Sequence, residues 1–220
     1  MAVAAKAFLF DLNGTMIDDM AFHIKAWHRI VNELGANLTL EEVKKECYGK
    51  NHDLLQRIFP NRFTIEEMDK MSIEKEKQYQ REFKPHLKLL PGLAEFMEEA
   101  KKQNIKMAVG SAAILFNIDF VLDGLNIRHY IDAIVSADDV ENSKPDPETF
   151  LKCADLLQVA YEKCIVFEDA PKGVEAAENA GMRCAVLTTM HEEPDFAAYN
   201  NTMGFAKDFT YAGILKLLGK

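Results

Sequence analysis

The chain has 220 residues, of which 48% are hydrophobic and 28% charged, enough for one substantial core with or without a smaller insertion. It contains no apolar run of membrane-spanning length, and a formal net charge of -9 disfavours nonspecific attachment to nucleic acid or anionic membranes, so any phosphate site has to be a local cationic pocket. Cys47, Cys153, Cys164 and Cys184 lack the paired spacing of a zinc site and are too few for a disulfide scaffold, which leaves them as reduced core thiols.

The opening "MAVAAKAFLF" lacks the basic start of a signal peptide and runs straight into Asp11, so "KAFLF" is predicted to be a first strand and the protein to be cytoplasmic. After Thr15 the strand signals stop. "AFHIKAWHRIVNEL" carries apolar residues at helical spacing before Gly35, and Thr39 with Glu42, then Thr64 with Glu67, have the spacing of capping boxes. The charge-rich "EEMDKMSIEKEKQYQREF" is expected to be a helix with a solvated face, in which Met68 and Met71 serve packing. From Lys88 onward apolar runs alternate with helix-length segments: "IKMAVG", "IDAIVS", "CIVFED" and "RCAVLTT", with "NIDFVLDGL", "DPETFLKCADLLQ" and "PKGVEAAENAG" between them. That alternation predicts an α/β fold, a parallel sheet with helices on both faces. The boundaries predicted are an α/β core of residues 1–16 and 88–220 and a helical cap of residues 17–87, inserted after the first strand.

Ligands of an open parallel sheet gather beyond the carboxyl ends of its strands. Asp11 follows the first strand, Ser111 follows "IKMAVG", Glu168 and Asp169 end "CIVFED", and Lys144 lies in the loop after "IDAIVS". Each has a plain structural alternative: Asp11 as a turn residue, Ser111 as a helix cap, Lys144 as a surface lysine. Together they suit phosphate chemistry. A carboxylate can attack phosphorus, two further acids can hold magnesium, and a hydroxyl and an ammonium can grip the anion. Pro145 biases Lys144 towards an extended conformation that could aim it into the crevice.

Taken in order, "FLFDLNGT", "VGSAA", "SKPDPETF" and "VFEDAPKGVEAAENAGM" resemble the four motifs of the haloacid dehalogenase superfamily, and the helical segment resembles the cap of its beta-phosphoglucomutase-like subgroup. The resemblance implies a Rossmann-like, doubly wound core with a helical-bundle cap. It implies Asp11 as nucleophile, Ser111, Ala112 and Lys144 as phosphate-binding, and Mg2+ held by Asp11, Glu168, Asp169 and the backbone carbonyl of Asn13. Gly14 would allow close approach of the chain.

Asn13 departs from the pattern, because the family's phosphatases and mutases carry an aspartate there as general acid and base. An amide cannot donate and retrieve that proton, so turnover is expected to fall by about 10²- to 10⁴-fold. Either the parent sequence has Asp at this position and the chain is a disabled variant, the favoured reading, or the protein binds phosphate without efficient turnover.

In the cap, His23 resembles a hinge histidine of the mutases, its alternative being a surface histidine packed near Trp27. "CYGKNHDLL" resembles a substrate loop, with Gly49 aligned but Tyr48 and His52 in place of the expected lysine and arginine. Lys50 or Lys75 could compensate, or these residues could simply be solvated. With one phosphate grip weakened, the expectation is a phosphatase of small phosphorylated metabolites such as sugar phosphates, with beta-phosphoglucomutase as the close alternative and a noncatalytic phosphate-binding protein as the alternative of another class. A monomer with no nucleic-acid or membrane partner is expected.

Overall fold

The computed structural model describes residues 5–218. The chain divides into two compact units, one comprising the stretch up to Asp18 together with everything from Lys88, the other Asp19–Leu87. No helix among the described residues is long and apolar enough to cross a membrane.

The larger unit is built on six strands: β1 (Ala7–Phe10), β2 (Lys106–Gly110), β3 (Ala133–Val135), β4 (Cys164–Glu168), β5 (Arg183–Leu187) and β6 (Thr202–Ala206). They lie in the order β3-β2-β1-β4-β5-β6, and every pairing is parallel. All four residues of β1 are buried, as a strand covered on both faces requires. On one face Phe8 and Phe10 meet Phe96, Phe167 and Phe209, with Phe10 stacked on Phe167 at 4.8 Å. On the other, Ala7 and Leu9 join Ala108, Phe150, Cys153 and Val166. The side-chain alternation of a strand thus feeds two separate apolar layers.

The sequence pattern anticipated five strands and missed β6. Met203 at its exposed edge and Gly204 within it interrupt the apolar run that marks the inner strands. The helices of this unit are α5 (Leu93–Lys102), α6 (Leu115–Gly124), α7 (Glu148–Leu157), α8 (Pro171–Asn179) and α9 (Ala212–Leu215), numbered after the four of the smaller unit. Three of them, α6, α7 and α8, fall on the helical segments expected from the sequence.

The smaller unit contains α1 (Met20–Glu33), α2 (Leu40–Glu46), α3 (Asn51–Ile58) and α4 (Ile65–Phe83). Both capping boxes form: Thr39 and Glu42 open α2, and Thr64 and Glu67 open α4, each tying two otherwise orphaned amides. Trp27, Val31, Val43, Leu54, Leu55, Phe59 and Met68 form its core, with Met71 packed against it. The charged face of α4 is not wholly solvated, because Lys75 and Glu76 are each 2% exposed. They can be buried because they pair with each other and with polar neighbours.

Candidate active site

With this strand order the sheet changes winding direction between β1 and β4, and an open parallel sheet has its ligand crevice at the carboxyl ends beside such a point. Asp11 leaves β1 there, and Glu168 and Asp169 leave β4 beside it. Ser111 follows β2, the neighbour of β1 on the other side, and its amide donates to Val135 O. Lys144 comes from the loop before α7, where the Lys144–Pro145 bond is cis.

Lys144 joins the two strand ends. Its Nζ donates to Asp11 Oδ1 at 2.6 Å and to Glu168 Oε1 at 2.7 Å, and it is only 8% exposed, so the surface-lysine alternative is excluded. Burial opposes the ammonium, but the charges of Asp11 and Glu168 outweigh it and raise the lysine above its ordinary value. Glu168 also accepts from the amides of Asp169 and Ala170 through Oε2 at 2.8 and 2.9 Å. Both of its oxygens are therefore engaged.

Asp169 is 4% exposed and accepts from Thr15 Oγ1 at 3.2 Å. Burial first, then the charges of Glu168 and Asp11, push its carboxyl well above the usual range, against the smaller opposing effects of Lys144 and Thr15. Three buried carboxylates facing one ammonium leave the crevice short of positive charge. The turn between Asp11 and Thr15 depends on Gly14, which has φ +80° and where a Cβ would stand 2.1 Å from Asp169 Oδ2. Asn13 is half-buried and forms a backbone bridge with Ile17.

Ser111 is buried and its Oγ accepts from the Ala113 amide at 3.2 Å. It is not the cap of α6: that helix begins at Leu115, whose amide donates to Asp138 Oδ2 at 3.0 Å. Ser111 instead shapes the short bend through half-buried Ala112.

Thr189, two residues past β5, is a site residue that the sequence motifs do not mark. Its hydroxyl donates to Gly14 O at 2.6 Å and lies 3.5 Å from Asp169 Oδ2, which ties the β5 end to the β1 turn. Its signal was close to the one that marked the others, a polar residue two positions past a buried strand.

The residues singled out in the helical unit form two groups. His23 and Lys75 meet in a buried network: Lys75 Nζ is 2.6 Å from His23 Nδ1 and donates to Glu76 Oε1 at 2.8 Å. His23 Nε2 lies 3.2 Å from Asp19 Oδ2, and Tyr79, stacked on the imidazole at 3.8 Å, donates to the same oxygen at 2.5 Å. His23 is therefore no surface histidine; it is 7% exposed and its aromatic partner is Tyr79. Gly49, at φ +74°, turns the chain between α2 and α3, and His52 pairs with Asp69 at 2.9 Å. Arg57, unremarked in the sequence, holds this loop by donating to Glu46 O and Tyr48 O at 2.6 and 2.8 Å.

The profile of the family "Haloacid dehalogenase-like hydrolase" matches residues 8–187, from within β1 to the end of β5. The chain belongs to the haloacid dehalogenase-like hydrolases. Relatives in this family include a phosphorylated carbohydrates phosphatase of Thermotoga maritima, 32% identical over 80% of this chain and 82% of its own. A fructose-1-phosphate phosphatase of Escherichia coli is 30% identical over 79% of this chain and 92% of its own. Among solved structures, a beta-phosphoglucomutase of Clostridium difficile superposes with a TM-score of 0.84 at 26% identity, covering 98% of this chain and 97% of that one. The chain is thus a haloacid dehalogenase-like enzyme of the phosphatase and phosphomutase type, with the Rossmann-like core and helical insertion expected of that group.

Among the described residues no three His, Cys, Asp or Glu side chains gather closely enough to cage a metal by themselves. The donor chemistry nevertheless fits magnesium, which is commonly held by one or two carboxylates, with waters and substrate oxygens completing the shell. The excess of buried carboxylate over ammonium suits a hard cation, and Gly14 lets Asp169 approach the turn that carries the Asn13 carbonyl.

Proposed function

We propose that the chain transfers phosphoryl groups from small phosphorylated sugars, with hydrolysis as the net reaction, through an aspartyl phosphate on Asp11. The observation that carries this reading is the Lys144 ammonium bridging Asp11 and Glu168 at the strand switch point, with Asp169 beside them. Asp11 attacks phosphorus, and the P–O bond to the sugar breaks. Lys144 holds the nucleophile in place and offsets charge gathering on the transferred oxygens, while Ser111 and the amides after β2 receive the phosphate. Glu168 positions Lys144 and, through two amides, the turn that carries Asp169.

Asp11, Asp169 and the carbonyl of Asn13, with Glu168 adjoining, would hold magnesium. The ion would supply the positive charge that three carboxylates and a phosphate dianion together require. Asn13 removes the proton donor and acceptor for the sugar oxygen and for the attacking water, so ester turnover is reduced by about 10²- to 10⁴-fold relative to an aspartate there.

Hydrolysis is favoured over isomerisation by the two phosphatase relatives and by the loop through Gly49, whose nearby arginine, Arg57, is committed to backbone carbonyls rather than to a second phosphate. The beta-phosphoglucomutase reading is second, supported by the agreement in shape with that enzyme. The test compares the chain with Asn13→Asp across sugar 1- and 6-phosphates in magnesium, following phosphate release and isomerisation separately. A gain in phosphate release on restoring the acid is expected, and isomerised product would move the assignment to a mutase. Absence of either product for both proteins on every ester would overturn the reading.

A further inference from the structure

We propose that the larger unit carries a binding site for an amphipathic organic anion, a compact apolar body bearing one carboxylate, at the amino ends of its strands. Asp11 and Glu168 lie at the carboxyl ends of β1 and β4. This cavity instead begins at Lys6, which precedes β1, and at Ile165 and Arg183, near the starts of β4 and β5.

The space follows from the side chains that two strands present to one face of the sheet. Arg183 and Ala185 are two positions apart in β5 and share that face. Ala185 pairs with Gly204 of β6, so the floor at this register consists of one methyl group beside bare backbone. Gly204 has φ +151°, a conformation that strains other residues, and a Cβ built on it would meet nothing within 4 Å. Buried Ile105, Ile165 and Ile214 form apolar walls, and Leu218, whose carbonyl accepts from Gln103 Nε2 at 2.9 Å, holds the chain end against them. The cavity has a volume of about 800 Å³, within the range of about 300–1,000 Å³ common to small-molecule sites.

Its charge runs against that of the chain. Lys6, Arg183 and Lys216 border the apolar space, and no aspartate or glutamate is among the described residues that line it, although the protein carries a formal net charge of -9. Lys6 and Lys216 are exposed, and neither ammonium has an ion-pair partner among the described residues. An inorganic anion would leave the isoleucine walls in water, a neutral apolar molecule would make no use of the cations, and an organic cation would be repelled. An apolar body with an anionic head satisfies both halves of the cavity, the body against the walls and the carboxylate between the lysines.

The test uses the full chain with 2-naphthoate as probe and 2-naphthylmethanol and 2-naphthylmethylammonium as neutral and cationic counterparts. Calorimetry gives the affinities, and the methyl resonance of Met203, at the rim of the cavity and assigned through Met203→Leu, reports the place of binding. Saturable binding of 2-naphthoate with a Kd below about 1 mM is expected, with the Met203 methyl shifted and both counterparts weaker by about tenfold or more, the scale of one hydrogen bond to a charged group. Combined Lys6→Glu and Lys216→Glu, both at exposed positions, should weaken 2-naphthoate by at least the same factor and remove its advantage over the alcohol. Ala185→Leu fills the floor and should abolish binding of all three; thermal unfolding checks that it folds, and the charge reversals decide the matter if it does not. Absence of saturable binding, equal affinity for the alcohol, or an affinity unchanged by the charge reversals would overturn the proposal. So would competition by inorganic phosphate with no shift at Met203, which would put the anion elsewhere, or a concentration-dependent dimer in sedimentation that 2-naphthoate leaves intact and in which the Met203 methyl is covered, which would give the cavity to a second copy of the chain.

Discussion

Gly173→Ala tests whether Glu168 is as firmly held as its contacts indicate. A Cβ at position 173 would stand 1.7 Å from Glu168 Oε1 and 1.9 Å from its Cδ, so the carboxylate has to move. The end of a flexible side chain normally moves at little cost. Here it accepts from Lys144 Nζ at 2.7 Å and from the amides of Asp169 and Ala170 at 2.8 and 2.9 Å. Hydrogen bonds to charged groups contribute about 1.5–3 kcal/mol each, and overpacking costs about 1–3 kcal/mol. Against this, alanine in a helix is better than glycine by about 0.5–1 kcal/mol. Partial loss of one or two of the three bonds leaves a net destabilisation of about 1–3 kcal/mol. At about 2–4 °C per kcal/mol for a chain of this size, the midpoint should fall by about 2–12 °C. Urea and thermal unfolding of Gly173→Ala, Glu168→Ala and the double variant would separate the contributions. In the Glu168→Ala background the obstacle is gone, and Gly173→Ala should be neutral or stabilising by up to about 1 kcal/mol. An equal effect in both backgrounds, or a gain in the unaltered protein, would refute the account of Glu168.

Lys144→Met leaves Asp11 and Glu168 buried without their shared cation, and urea unfolding should register a loss of about 3–5 kcal/mol together with loss of phosphoryl transfer. Tyr79→Phe removes a bond to a buried carboxylate and should cost about 1.5–3 kcal/mol by denaturation of the intact chain. Burial, then Asp19, hold the Tyr79 proton above the ordinary value of 10.0; the folded state thus keeps a proton that the unfolded state loses, and stability should fall as pH climbs above about 10. Tyr79→Phe should flatten that alkaline slope. Lys152, then the amides of Asn142 and Glu141, lower Glu148 from 4.5 to about 2; its contribution is complete above pH 4.5 and is lost as the pH falls to about 2. Glu148→Ala should therefore speed amide exchange at Glu141 and Asn142 most clearly at neutral pH. Thr189→Val leaves the half-buried turn without the 2.6 Å donor to Gly14 O, and a loss of about 1–3 kcal/mol in urea unfolding is expected.

Much of this was legible in the sequence because the inner strands are buried on both faces and announce themselves as apolar runs, with the polar residues that follow them marking the crevice. β6 lacked such a run, since an edge strand can carry Met203 exposed and Gly204 unpacked. Lys75 and Glu76 escape a local reading for a different reason. Charged residues are almost never buried unless paired, and their partners His23 and Asn51 are brought to them by other helices, which local periodicity cannot show. Ser111 was legible as a strand-end residue but not as a bend residue, because the cap of α6 comes from Asp138, 23 positions after Leu115. Thr189 is reached by extending the strand-end rule to the second residue past β5.

The supports around position 13 explain how the site can keep its shape when a carboxylic acid there is exchanged for an amide. The position of the Asp11 carboxylate depends on the β1 end and on Lys144, and the acidic side of the crevice depends on Glu168 holding its own turn by two amides. The turn carrying Asn13 depends on Gly14, which alone tolerates the approach of Asp169, and on backbone bonds to Ile17. None of these supports involves a proton at side chain 13, so exchange of carboxylic acid and amide there is nearly isosteric and leaves them in place. On the proposed function, proton transfer is thereby separable from phosphate binding and from attack by Asp11. Catalytic rate, and not fold, is therefore on that function the property most sensitive to this one exchange.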